Sequence, residues 1–315
     1  MTIEKNYKRH AWAITITCVI SWAFAFLGTK IYTQYTFGLF IWLPLVLGAL
    51  STILFAYKNK VTRVSCIKLS YLTLFIFCLG LLTFAFEGVI CIIMAAPIGM
   101  LFTWIGYLLG YEIIKSKIIN PSLVAVVLTL SVPAVMGFEY STNDNKSELR
   151  SVTTTIKINA SPEQVWDNVI AFPQLKEPDE LLFKAGIAYP INAKIEGTGV
   201  GAIRHCNFST GSFVEPITEW QKPSLLRFSV SDQPATMKEL SFYDLHPNHI
   251  HGYFISKYGQ FKLLKQKDGS TVLEGTTWYY NKIKPGIYWN MWSDYIIHKI
   301  HDRVLNHIKQ EIEKS

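Results

Sequence analysis

The sequence predicts a chain in two parts: an all-α membrane region over residues 1–138, then an α+β domain over residues 151–315. In the second part a curved antiparallel sheet surrounds a long C-terminal helix, and residues 139–150 form the linker. Three observations predict this: a split in charge, five long apolar runs, and the order of strand and helix patterns after the linker. Half of the 315 residues are apolar and 17% are charged, against roughly 25% charged in ordinary soluble domains. Residues 1–138 carry ten Lys/Arg and three Asp/Glu, and residues 139–315 carry twenty of each, so the net charge of +7 lies wholly in the first part. Because the polar half is neutral and the basic excess lies between apolar runs, the net positive charge is not a nucleic-acid signal, and the apolar and aromatic content excludes disorder. The five Cys show no C-x-x-C spacing and only Cys206 lies in the second part. That excludes a disulfide framework and a zinc ribbon.

A bilayer core takes about 17–25 mostly apolar residues per helix. Ala11–Leu27, Phe37–Tyr57, Leu69–Phe86, Val89–Tyr111 and Pro121–Phe138 meet or approach that length with no Lys, Arg, Asp or Glu inside them. The first run could mimic a signal peptide, but its length and the four runs after it make it a retained anchor. Only Glu87 and Gly88 separate the third run from the fourth, which predicts a tight hairpin. With five spans, Lys5, Lys8, Arg9, Lys58, Lys60, Arg63, Lys68, Lys115 and Lys117 fall on one side, against Lys30 alone on the other. That bias puts the N-terminus in the cytoplasm and the C-terminal domain outside. If the Val89–Tyr111 run were re-entrant, the domain would move to the cytoplasm. Gly106-x-x-x-Gly110 has the spacing of a close helix contact, although small residues are common in membrane helices generally. Pro44, Pro97 and Pro133 are expected to kink their helices.

In the second part, Val152, Thr154, Ile156 and Ile158 alternate with polar neighbours as in a strand. Ser161, with Pro162 and Gln164 after it, is a capping box that opens a helix burying Val165, Trp166 and Val169. Pro173 and Pro178 are expected to end that helix and bracket a second helical turn. Strands are expected at 202–208, 212–220, 225–230, 238–245, 249–256, 259–266 and 271–280, with a hairpin at Lys267-Asp268-Gly269-Ser270. Ile297, Ile300, Val304, Ile308 and Glu311 then repeat at helical spacing, apolar except for the last. A sheet curved around one long helix leaves a gap in which an apolar ligand fits.

The stretch IKINASPEQVWDNVIAF resembles the opening of the SRPBCC superfamily, the helix-grip fold of START and birch-allergen-type proteins. FVEPITEWQKPSLLRFSV, HIHGYFISKYGQF and LEGTTWYYNKIKPGIYWNMWSDYIIHKIHDRVLNHIK resemble its polyketide cyclase/dehydrase-like bacterial branch, in which the domain follows membrane spans. The resemblance covers about residues 150–315. It implies a helix-grip fold in a multi-pass protein of the bacterial cytoplasmic membrane. Function does not follow from it, since the superfamily includes ligand carriers, cyclases, hydrolases and chaperone activators.

Three groups of residues could carry chemistry. Asp294, His298 and His301 stand at i, i+4 and i+7 on the long helix. Asp294 could orient His298 as an acid/base pair, or the three could ligate a metal; a purely structural stripe is the alternative. The loop residues His246, His249 and His251 have no recognisable metal spacing. On the second strand, alternation sends Arg204 and Cys206 to one face and His205 to the other. Facing inward, Arg204 could grip a carboxylate or phosphate, or it could pair across the sheet with Glu215 or Glu219. Finally, Trp278, Tyr279, Tyr280, Tyr288, Trp289, Trp292 and Tyr295 crowd eighteen residues. They could wall a ligand site, sit at a membrane interface or pack a core.

The reading that follows is a membrane-held module binding a hydrophobic or lipid-like molecule, with no cofactor and no metal. Arg204, Cys206, Trp278, Tyr279, Tyr288, Trp292 and Tyr295 would line its site. The alternatives are a cyclase or dehydratase acting through Asp294, His298 and His301, and a membrane-bound sensor.

Overall fold

Apolar runs of this length fold as helices because each backbone N–H and C=O is then paired within its own segment. The computed structural model describes residues 2–116, 120–142, 147–238, 240 and 252–314. Its first unit contains α1 (Thr2–Phe26), which continues through a π-helical turn at Leu27–Ile31, and α2 (Leu43–Ala56), which follows a π-helical turn at Gly38–Trp42. α3 (Arg63–Thr83), α4 (Val89–Lys115) and α5 (Pro121–Thr142) complete it. These are five helices long and apolar enough to cross a membrane. The expected hairpin joins α3 to α4. Of the three prolines, Pro44 sits in the first turn of α2, while α4 and α5 run through Pro97 and Pro133 as unbroken helices.

Small residues and hydroxyls hold these helices together. A Cβ on Gly106 would lie 2.0 Å from the Leu45 carbonyl oxygen, one on Gly110 2.7 Å from that of Ala49, and one on Gly48 2.2 Å from that of Thr103. The Gly106/Gly110 spacing is therefore a close backbone approach of α4 to α2. Thr103 donates to the Pro44 carbonyl at 3.3 Å, and Ser70 of α3 bonds Ser51 and Thr52 of α2 at 3.1 and 3.0 Å. Arg9 donates to the Tyr57 carbonyl at 2.6 Å and Arg63 pairs with Glu112 at 2.9 Å. These contacts join the start of α1 to the end of α2, and the start of α3 to the end of α4, so cations separated in sequence gather at one end.

The linker begins later than the sequence suggested. α5 continues through Thr142, and the Glu139 carboxylate accepts from the Thr36 hydroxyl at 2.8 Å and the Gly38 N–H at 2.9 Å. It thereby caps the N-terminal end of the second span, where the helix dipole favours a negative charge. Two pieces of the later sequence belong with this unit: the Leu240 carbonyl accepts from the Val89 N–H, and the Lys284 N–H donates to the Tyr35 carbonyl.

The second unit contains β1 (Arg150–Ile158), α6 (Pro162–Ile170), α7 (Leu181–Lys184), β2 (Pro190–Glu196), β3 (Ile203–Phe208), β4 (Gly211–Gln221), β5 (Leu225–Ser229), β6 (Phe254–Lys265), β7 (Thr271–Asn281) and α8 (Gly286–Glu313). The seven strands form one antiparallel sheet in the order β1-β7-β6-β5-β4-β3-β2. This is the expected architecture of a curved antiparallel sheet with a long C-terminal helix. The capping box at Ser161 is present, with the Ser161 N–H donating to Gln164 Oε1 at 3.0 Å. Three local expectations are corrected. β2 escaped notice because PINAKIE carries only weak alternation. The described parts of the stretches expected at 249–256 and 259–266 join in one strand, β6, from Phe254 to Lys265, with a bulge between Ser256 and Tyr258 that breaks the alternation. α7 lies beyond Pro178 rather than between the two prolines. The strand expected at 238–245 lies almost wholly outside the described residues, as do His246, His249 and His251. α6, the inner sheet face and the C-terminal half of α8 share one apolar core around Trp166, Leu226, Leu273, Leu305 and Ile308.

Candidate functional site

Strand alternation puts Arg204 and Cys206 of β3 on the inner face, and the β3–β4 register sets Arg204 directly opposite Glu215. Arg204 is 1% exposed, and its Nη1 forms an ion pair with the Glu215 carboxylate. Its Nε donates to the Ile170 carbonyl at 3.2 Å, where α6 ends. The rings of Phe172, Phe228 and Phe261 lie 5.5, 5.4 and 5.6 Å from the guanidinium carbon. Phe172 is held there by paired backbone bonds with Ala193 of β2. Of the two partners the sequence left open, Glu215 is the one taken. Burial opposes the charge on Arg204, but the adjacent Glu215 raises its pKa above the ordinary guanidinium value. Nη2 is buried with no acceptor among the described residues, and the same holds for Nε1 of Trp166 in the same core. Orphaned buried donors of this kind each cost about 1–3 kcal/mol, a cost that a bound acceptor removes. Burial, reinforced by Glu215, pushes the Cys206 thiol up to about 12, so it is no nucleophile.

The polar stripe of α8 is organised differently from the pair the sequence suggested. Both Asp294 oxygens are taken: Oδ2 accepts from Arg150 at 2.9 Å and Oδ1 from the Tyr279 hydroxyl at 2.5 Å. Asp294 therefore holds the first residue of β1 and the inner face of β7 rather than His298. The exposed His298 meets the Thr154 hydroxyl through Nδ1 at 2.8 Å. His301 crosses the β1–β7 pair, with Nδ1 3.1 Å from Thr154 Oγ1 and Nε2 2.8 Å from Thr277 Oγ1. Burial and the neighbouring His298 push His301 down to about 4, so it is neutral at neutral pH. Among the described residues no group of three His, Cys, Asp or Glu is placed to hold a metal ion.

The aromatic cluster does not form one wall. Tyr279 is buried on the inner face, stacked on Phe254 with ring centroids 5.0 Å apart. Trp278 points to the opposite face of β7, where Arg227 of β5 lies over its ring at 5.9 Å; it does not line the interior. On α8 Trp289 is buried, Tyr288 and Trp292 are half-buried and Tyr295 is exposed. Trp292 and Tyr295 meet edge to face at 6.5 Å.

Sequence reasoning missed Thr154 and Thr277 as partners of the histidines, Arg150 as the partner of Asp294, and the three phenylalanines around Arg204. Alternation along β1 was the available signal for Arg150 and Thr154, since both share a face with Val152. Nothing local marks Phe172, Phe228 and Phe261, which come from three distant segments.

No protein-family model matches the chain, and no curated protein matches it. Among solved structures, norcoclaurine synthase from Thalictrum flavum in complex with dopamine and hydroxybenzaldehyde is 12% identical, with a TM-score of 0.35 over 55% of this chain and 91% of that one. The Zhui aromatase/cyclase from Streptomyces sp. R1128 is 12% identical, with a TM-score of 0.35 over 53% and 95%. A protein from Nitrosospira multiformis is 17% identical, with a TM-score of 0.34 over 52% and 96%.

Proposed function

We propose that the chain is a multi-pass membrane protein whose C-terminal domain binds a hydrophobic small molecule on the concave side of its sheet, with Arg204 as the polar anchor. The observation that carries this is the buried Nη2 of Arg204, a strong donor ringed by three phenylalanines and without an acceptor among the described residues. The aromatic surround suits an apolar body, and the orphan donor suits one oxygen at its end. Glu215 already compensates the guanidinium charge, so a carbonyl or hydroxyl oxygen fits better than a second anion, which Glu215 would repel.

The test is native mass spectrometry of the full-length protein released from lipid nanodiscs, followed by extraction and identification of what co-purifies. A stoichiometric apolar molecule bearing an oxygen is expected, and it should be lost when Arg204→Met is combined with Glu215→Leu. A protein that is folded and empty, or a ligand retained by the double variant, would remove Arg204 from this role.

In this reading the five helices span the bilayer, with the end that gathers Arg9, Arg63 and Lys115 in the cytoplasm. The C-terminal domain is then outside. Alkaline phosphatase fused after Ser315 is expected to be active, and an inactive fusion would reverse the orientation.

A further inference from the structure

His298, Thr154, His301 and Thr277 stand in one hydrogen-bonded line across α8, β1 and β7, at 2.8, 3.1 and 2.8 Å. Counting hydrogens adds to what the distances say. Thr154 Oγ1 touches Nδ1 of both imidazoles, yet a hydroxyl has a single hydrogen. It donates to one Nδ1 and must accept from the Nδ1–H of the other, so the two tautomers are opposed. The constraint continues inward. When His301 has its hydrogen on Nδ1, its Nε2 accepts from the Thr277 hydroxyl; when Nδ1 is bare, Nε2–H donates to Thr277.

The geometry points to a proton relay, Thr277–His301–Thr154–His298, joining the exposed imidazole of His298 to the inner face of β7. There it exchanges a proton with a hydroxyl or carbonyl oxygen of the apolar molecule held under the sheet. That last step rests on the binding function proposed above, whereas the relay itself does not. In the inward direction His298 Nε2 takes a proton from water and its Nδ1–H passes to Thr154. The Thr154 hydrogen passes to His301 Nδ1, the His301 Nε2–H passes to Thr277, and the Thr277 hydrogen passes to the ligand oxygen. One proton enters and one leaves, and no electrons change hands.

The surroundings keep the path electrically simple. Asp294, one turn before His298, is tied to Arg150 and Tyr279, and Lys299 and Asp302 flank the histidines along α8. On the inner faces of β1 and β7 only Arg150 and Tyr279 are titratable. His301, held down at about 4, stays uncharged and relays as a neutral imidazole.

The test is NMR of full-length protein labelled with 15N-histidine in lipid nanodiscs, with signals assigned through His298→Gln and His301→Gln. Opposite tautomers are expected at high pH. As pH falls, the His298 and His301 nitrogens should shift together, at one common midpoint. Thr154→Val should abolish that response and Thr154→Ser should keep it. Identical tautomers in the wild type, an unchanged response in Thr154→Val, or its loss in Thr154→Ser would each overturn the relay. A coupled pair in protein that carries no ligand would uphold the relay and count against the binding function alone.

Discussion

Arg204→Met is expected to destabilise the C-terminal domain by about 3–5 kcal/mol, because it leaves the Glu215 carboxylate buried with no counter-charge. The effect has a definite pH dependence. Burial raises the folded-state pKa of an unpaired carboxyl above its unfolded value of about 4.3. The folded state then binds a proton more readily than the unfolded chain, so the variant is closest to wild type at low pH. It loses stability as pH rises through the raised pKa. Adding Glu215→Leu removes the stranded charge, and the double variant should return to within about 1–2 kcal/mol of wild type, as replaced buried ion pairs commonly do. Urea unfolding of the full-length protein in detergent, followed by tryptophan fluorescence across a pH series, would measure both. If the single variant were as stable as the double at pH 8, the pair would not be the closed buried unit described above.

The second large effect lies among the membrane helices. Gly106→Ala is expected to disrupt the α2–α4 contact, because the new methyl would stand 2.0 Å from the Leu45 carbonyl oxygen and 3.0 Å from the Ala49 nitrogen. Both are backbone atoms, which cannot rotate away, so the helices must separate. Overpacking of this kind costs about 1–3 kcal/mol or more. Gly99→Ala, seven residues earlier on the same helix, meets nothing within 4 Å. It should be neutral or slightly stabilising, since alanine is the better helix former by about 1 kcal/mol. Thermal aggregation midpoints of the two variants in one detergent decide the matter. Equal midpoints would mean that α4 does not approach α2 through Gly106.

The two contrasts show why some of this protein was legible early. Helix spans, the capping box at Ser161, the β3 alternation and the long α8 follow from periodicities of a few residues, which act wherever the chain goes. The bulge at Lys257 and the weak pattern of β2 defeated the same reasoning, because one inserted residue or one short polar strand erases the period. Glu139 looked like linker because its partners, Thr36 and Gly38, lie about a hundred residues away.

The site divides along the same line. Alternation alone told that Arg204 and Cys206 share a face, and helical spacing alone told that Asp294, His298 and His301 share a stripe. Which groups those side chains meet is a property of strand register and of how α8 lies on β1 and β7. Register chose Glu215 for Arg204 and set Trp278 on the outer face. The packing of α8 gave Asp294 to Arg150 and Tyr279 and left the two histidines to Thr154 and Thr277. Local sequence determines which face a side chain takes, because backbone geometry is periodic. Its partner is decided only when distant segments close on one another, because hydrogen bonds and ion pairs act over about 3 Å, and Thr154 and His301 are 147 positions apart.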